Sequence, residues 1–99
     1  MMLKIYDKAQ WHIDAGEDSR AVIAKFDAVF AFLNTNNLLT DEGKEIIELG
    51  IDSSVSIHER MLTEKGKRFM DACYDKVINY DADKIASALE REYTSFAFE

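Results

Sequence analysis

Two histidines, three clustered serines and one cysteine are the residues of this 99-residue chain whose types could support nucleophilic or metal chemistry. His12 lies two positions before Asp14, and His58 adjoins Glu59, so each imidazole has a carboxylate nearby that could orient it as a general base. Neither histidine belongs to an H-x-x-x-H pair, and no group of cysteines completes the ligand spacing of a metal shell. Ser53, Ser54 and Ser56 follow Gly50 without forming a G-x-S-x-G elbow, and their types suit capping or turning the backbone. Cys73 falls within an apolar stripe of Phe69, Met70, Cys73, Tyr74, Val77 and Ile78, where a thiol packs as a small hydrophobe instead of acting as an exposed nucleophile. The pairs Gly43-Lys44 and Gly66-Lys67 continue into Glu45 and Arg68, so neither makes a phosphate loop. The expectation is therefore a protein that is not an enzyme, with no catalytic residues, no metal ligands and no cofactor.

Charge narrows the choice of partner. The chain carries 19 acidic and 12 basic side chains, a formal net charge of -7. A field of that sign repels phosphate backbones and anionic membranes and speeds the approach of a basic protein. One cluster runs against it: Arg60, Lys65, Lys67 and Arg68 surround an expected helix start and are the candidates for contact with phosphate or another anion. Glu59, Glu64 and Asp71 dilute that cluster, which favours a solvated face of mixed charge. The single cysteine excludes an intramolecular disulfide and suits a reducing compartment. No window approaches a membrane span or a signal peptide, so the expected location is cytoplasmic.

The elements that must position these residues read as helical. A composition that is 47% hydrophobic supports one packed core, hence a single domain over residues 1–99. The fold class expected is all-α, a compact bundle of about five short helices with a short extended segment near 51–58. The first helix is placed at Leu3 to Ala15, capped by Asp7 and ended by Gly16. Val22, Phe26, Val29, Phe30 and Leu33 mark the second by their spacing along one face, with Asp18 or Ser19 as cap and Asn34, Asn36 and Asn37 as its end. Thr40 starts the third, which stops at Gly50; Thr63 starts the fourth, and Asp81 or Asp83 the fifth. Between Ile51 and His58, Val55 and Ile57 alternate as in a short strand, while Ile51 and Val55 also suit a helical turn.

One internal echo stands out. Residues 38–48, LLTDEGKEIIE, align with residues 61–71, MLTEKGKRFMD, at an offset of 23. The physical content is a helix start used twice: Leu39 and Leu62 precede the caps Thr40 and Thr63, while Gly43 and Gly66 sit in the first turn, where a missing side chain lets another segment come close. Two copies do not make a solenoid, and reuse of a local solution is favoured over a functional repeat.

Leu62 to Lys67 resembles the helix start that follows the wing in many winged-helix repressors. That resemblance implies a small helical nucleic-acid-binding regulator, which the net negative charge opposes. The phrases YDKAQWH at 6–12, GKEIIE at 43–48 and GIDSSVS at 50–56 look like those of small bacterial single-domain proteins of the immunity-protein type. This second resemblance implies a protein-binding module that neutralises a bacterial toxin domain, the leading expectation. Tyr6, Trp11, His12, Phe96 and Phe98 are then the candidate anchors against the partner. A structural homo-oligomer joined through Phe96 and Phe98 is the remaining alternative. If Cys73 belongs to the core, a thiol reagent will modify it only after denaturant opens the chain. Equal labelling rates in native and denatured protein would place it at the surface.

Overall fold

Thr40 and Thr63 each terminate an extended approach and start a helix, and the two starts lie against each other. In the computed structural model, which describes residues 3–97, the Thr40 N–H donates to the Met61 carbonyl and the Thr63 N–H to the Leu38 carbonyl, both at 2.9 Å. Between these bonds Leu39 and Leu62 form an antiparallel bridge. The echoed segments thus make the same contact on each other, a local two-fold arrangement.

The elements in chain order are β1 (Ile5–Lys8), α1 (Ala9–Asp14), α2 (Ser19–Thr35), α3 (Asp41–Leu49), β2 (Ser56–His58), a 3-10 turn at Glu59–Met61, α4 (Glu64–Val77) and α5 (Ala82–Ala97). The fold is mainly helical, with one two-stranded antiparallel sheet. Four expected helices appear where their caps and apolar spacing put them. Asp18 accepts from the Ala21 N–H at 3.1 Å and opens α2, while Asn37 beyond its end takes a φ of 58°. Thr40 and Thr63 accept from the Gly43 and Gly66 N–H groups at 3.4 and 3.1 Å. Gly50, with φ 95°, ends α3 in a conformation that other residues adopt only under strain.

The first helix needs correction. Residues 5–8 are a strand, and helix begins only at Ala9. The cause is pairing at a distance: β1 runs antiparallel to β2 with Ile5 opposite His58 and Asp7 opposite Ile57, leaving Tyr6 as an extra residue in a bulge. Asp7, expected as a helix cap, is instead 1% exposed in the strand. The segment 51–58 resolves into a turn, then Val55 and β2, as the Val55–Ile57 alternation indicated.

The core joins α2, α4 and α5. Phe26, Phe30, Leu33, Phe69, Met70, Tyr74, Ile85 and Leu89 are fully buried within it. Phe69 meets Phe32, Tyr93 and Phe96 at ring-centroid distances of 5.6, 5.3 and 5.6 Å. Cys73 lies buried in the α4 stripe. No helix among the described residues is long and apolar enough to cross a membrane.

Both echoed glycines are required by the close approach. A Cβ on Gly43 would stand 2.6 Å from the Met61 carbonyl oxygen, and one on Gly66 would stand 2.6 Å from that of Leu38. These obstacles are backbone and cannot swing aside. Gly43→Ala and Gly66→Ala should each destabilise the protein by about 1–3 kcal/mol despite the better helix propensity of alanine. A urea midpoint unchanged or raised in either variant would show that the contact is looser than this geometry.

Candidate functional site

Two regions concentrate polar groups, and they differ in access. The first is closed. Asp7 of β1 receives the Tyr74 hydroxyl at 2.6 Å, and its carboxylate oxygens both lie 2.9 Å from Nε2 of His12. Nδ1 of His12 lies 2.8 Å from a Glu17 carboxylate oxygen. Both histidine contacts are hydrogen bonds together only when each ring nitrogen carries a proton. His12 also meets Phe26 edge-on at 5.8 Å. Nearby, the Lys25 ammonium is buried and donates to the Ile78 carbonyl; burial pushes its pKa down, with Glu17, Asp7 and Asp81 opposing that shift. This network ties the N-terminal strand to α1, to Glu17 in the connection before α2, and to α4. Its carboxylates already hold the imidazole at both nitrogens, so it is built to clamp elements, and its geometry leaves no ring nitrogen poised for an incoming substrate.

The second region is an open cleft of about 360 Å³ between the end of α3 and β2, lined by Ile46, Leu49, Asp52, Val55, His58 and Met61 among others. Leu49, the last residue of α3, is 75% exposed at its edge. Asp52 accepts from both the N–H and the hydroxyl of Ser54, at 2.8 and 2.5 Å, and these bonds lower its pKa below the usual carboxylate value. His58 brings Nε2 to 3.6 Å from a Glu42 carboxylate oxygen, too long for a hydrogen bond, and its buried Nδ1 has no partner among the described residues. The segment 41–52 holds Asp41, Glu42, Glu45, Glu48 and Asp52 against a single base, Lys44.

The residues singled out in the sequence are scattered. Tyr6 is half-buried and donates to Asp71 at 2.9 Å, beside the Lys4–Asp71 ion pair at 2.5 Å. Trp11 is half-exposed on α1 and His12 is buried. Phe96 packs on Phe69 and Tyr93, while Phe98 lies outside the described residues. Among the basic residues, Lys67 pairs with Glu64 at 2.7 Å, Lys65 lies over the Tyr93 ring at 5.3 Å, and Arg60 and Arg68 are exposed. Leu49 and Asp52 line the cleft without belonging to any site motif, and their only sequence signal is an apolar residue beside a helix-ending glycine within an acid-rich stretch.

Among the described residues no group of three or more histidine, cysteine, aspartate or glutamate side chains could hold a metal ion. Comparison of the chain with protein-family models, curated proteins and solved structures found no match.

The closed network has an alkaline signature. Burial and the Asp7 carboxylate push the Tyr74 phenol well above its ordinary value of 10.0, and burial with Asp71 pushes Tyr6 up as well. A phenol whose folded pKa is raised contributes stability that is intact below its unfolded value and is lost as pH rises from there towards the folded value. Stability should therefore fall above about pH 10, and the 295 nm phenolate signal of these two tyrosines should appear together with unfolding. Tyr74→Phe should remove its share of that signal and cost about 1–3 kcal/mol at neutral pH. Ionisation of Tyr74 in a still folded protein would contradict this arrangement.

Proposed function

We propose that this chain is a non-enzymatic protein-binding module of the immunity type, which docks on a basic toxin domain and blocks its working surface. The observation that carries this reading is the concentration of charge on α3 and the turn after it, where five carboxylates and one lysine occupy residues 41–52. All six side chains are on exposed residues, so their field acts outward. Such a field raises the encounter rate with a cationic surface, and buried anchors then set how long the complex lasts. The basic side chains of α4 do not form an equivalent opposite face, since Lys67 is engaged by Glu64 and Lys65 lies on Tyr93. That arrangement favours a protein partner over nucleic acid.

Co-expression with the polypeptide encoded by the adjacent gene tests the reading. Protection of the host cell and a stable complex are expected. In the Glu45→Lys/Glu48→Lys double variant, association should slow by roughly ten-fold or more at low salt, with little change in thermal stability, because both side chains are exposed. Absence of protection would overturn the immunity reading, whether or not a complex forms with that polypeptide.

A further inference from the structure

The two-fold contact between the echoed segments allows their helices to be compared position by position. At the offset of 23, Ile46 corresponds to Phe69, Ile47 to Met70 and Leu49 to Ala72. On α4 the first two positions are sealed: Phe69 is 0% and Met70 2% exposed, with Phe69 against Tyr93 and Phe96 of α5. On α3 the same two positions are only partly buried, because α5 lies on the other helix. At the third, α4 presents an alanine to solvent and α3 presents a leucine that is 75% exposed. One half of the pair is thus sealed by α5, whereas the other, which meets α2 and the 3-10 turn, leaves Ile46 and Ile47 partly exposed and Leu49 exposed.

That face has a definite chemistry. Ile46 and Leu49 line the wall of the cleft, with Val55 and Met61, both nearly buried, in its lining. Glu42 stands on the same helical face as Ile46 and Leu49 by its spacing of four and seven residues, while Asp41, Glu45 and Glu48 form the neighbouring row. Asp52 faces the cleft from the turn, held ionised by Ser54. A single exposed leucine is ordinary. An exposed leucine at the mouth of a cleft large enough for one bulky side chain, bordered by carboxylates, is a recognition surface for something apolar and cationic together.

We infer that the α3–β2 cleft is the docking surface of this protein, and that its occupant is a cationic segment of a partner protein which inserts one large apolar side chain between Ile46, Leu49, Val55 and Met61 while flanking lysines or arginines meet Glu42, Glu45, Glu48 and Asp52. The inference rests on the protein-binding reading above and adds the site and the chemistry of its ligand. The inserted side chain covers α3 as Tyr93 and Phe96 cover α4. The surrounding carboxylates discriminate against anionic or uncharged segments, which would leave those charges partly desolvated without a counter-charge.

The probe is a random twelve-residue peptide library displayed on phage and selected against the full-length chain, with no adjacent-gene product present. The selected peptides are expected to share one tryptophan, phenylalanine or leucine between lysines or arginines. A synthetic peptide of that type, titrated into isotope-labelled protein, should shift backbone amides within residues 42–58. Leu49→Ser, at a solvent-exposed position, should weaken it by roughly ten-fold, Tyr80→Ser, at an exposed position outside the cleft lining, should not, and replacing the peptide's apolar residue by glycine should match the loss from Leu49→Ser. Selection of peptides that shift amides elsewhere, binding indifferent to Leu49 and to the peptide's apolar residue, or failure to select any peptide would overturn the assignment of the cleft. Toxin protection without cleft binding would sink this inference alone, and cleft binding without protection would sink only the immunity reading.

Discussion

Two carbonyl oxygens, those of Leu38 and Met61, constrain most of what this chain can be. Each accepts the N–H of the threonine that caps the other segment's helix, and each lies so near the other segment's glycine that no side chain fits there. The segments 38–43 and 61–66 consequently interlock at the level of backbone, where adjustment is costly. This sets where α3 and α4 begin and holds Leu38, Leu39, Met61 and Leu62 in the core. Because β2 and its 3-10 turn run directly into the second segment, the same contact positions the cleft.

A second constraint secures the N-terminal part. Asp7 is a carboxylate almost wholly removed from water, and such a group is stable only where donors converge on it. Tyr74 comes from α4 and His12 from α1, so the requirement to satisfy one side chain brings three elements together. Outside this network Tyr6 and Lys4 hold Asp71, which lowers that carboxyl below its ordinary value and fastens the other face of the strand to α4. Polar contacts thus anchor β1 alongside the packing of Tyr6 on the core.

Helix starts and stops were largely legible because their causes are local. A threonine or aspartate cap, a glycine or asparagine end and a repeating apolar face all lie within a few residues of each other, and α2, α3, α4 and α5 follow them. The strand at residues 5–8 was not legible, since what favours it is a partner about fifty positions away and a buried bond from Asp7 to Tyr74, 67 positions away. Locally, Asp7 followed by Ala9 and Ile13 has the pattern of a capped helix, and tertiary pairing overrides it. The echo was visible, and so was the reason for its glycines. That the two copies contact each other was not, because an alignment does not say which segment comes close. The cleft depends on the same missing information: Ile46 stays partly exposed where its counterpart Phe69 is sealed by Tyr93 and Phe96 of α5, and an alignment does not say which helix α5 covers.

The reciprocal contact therefore connects the fold to the docking proposed for the cleft: it holds two similar helices side by side while, among the described residues, α5 covers only one of them. In the proposed docking, charge on α3 favours cationic surfaces at the open one. Native-state hydrogen exchange of the Thr40 and Thr63 amides tests this linkage most directly. The expected result is strong and equal protection of the two amides, lost together in a single opening event and reduced in parallel when either glycine is replaced. Fast exchange of either one, or openings of clearly different free energy at the two sites, would show that the segments are not interlocked and would remove the basis for treating α3 as the uncovered half of a pair.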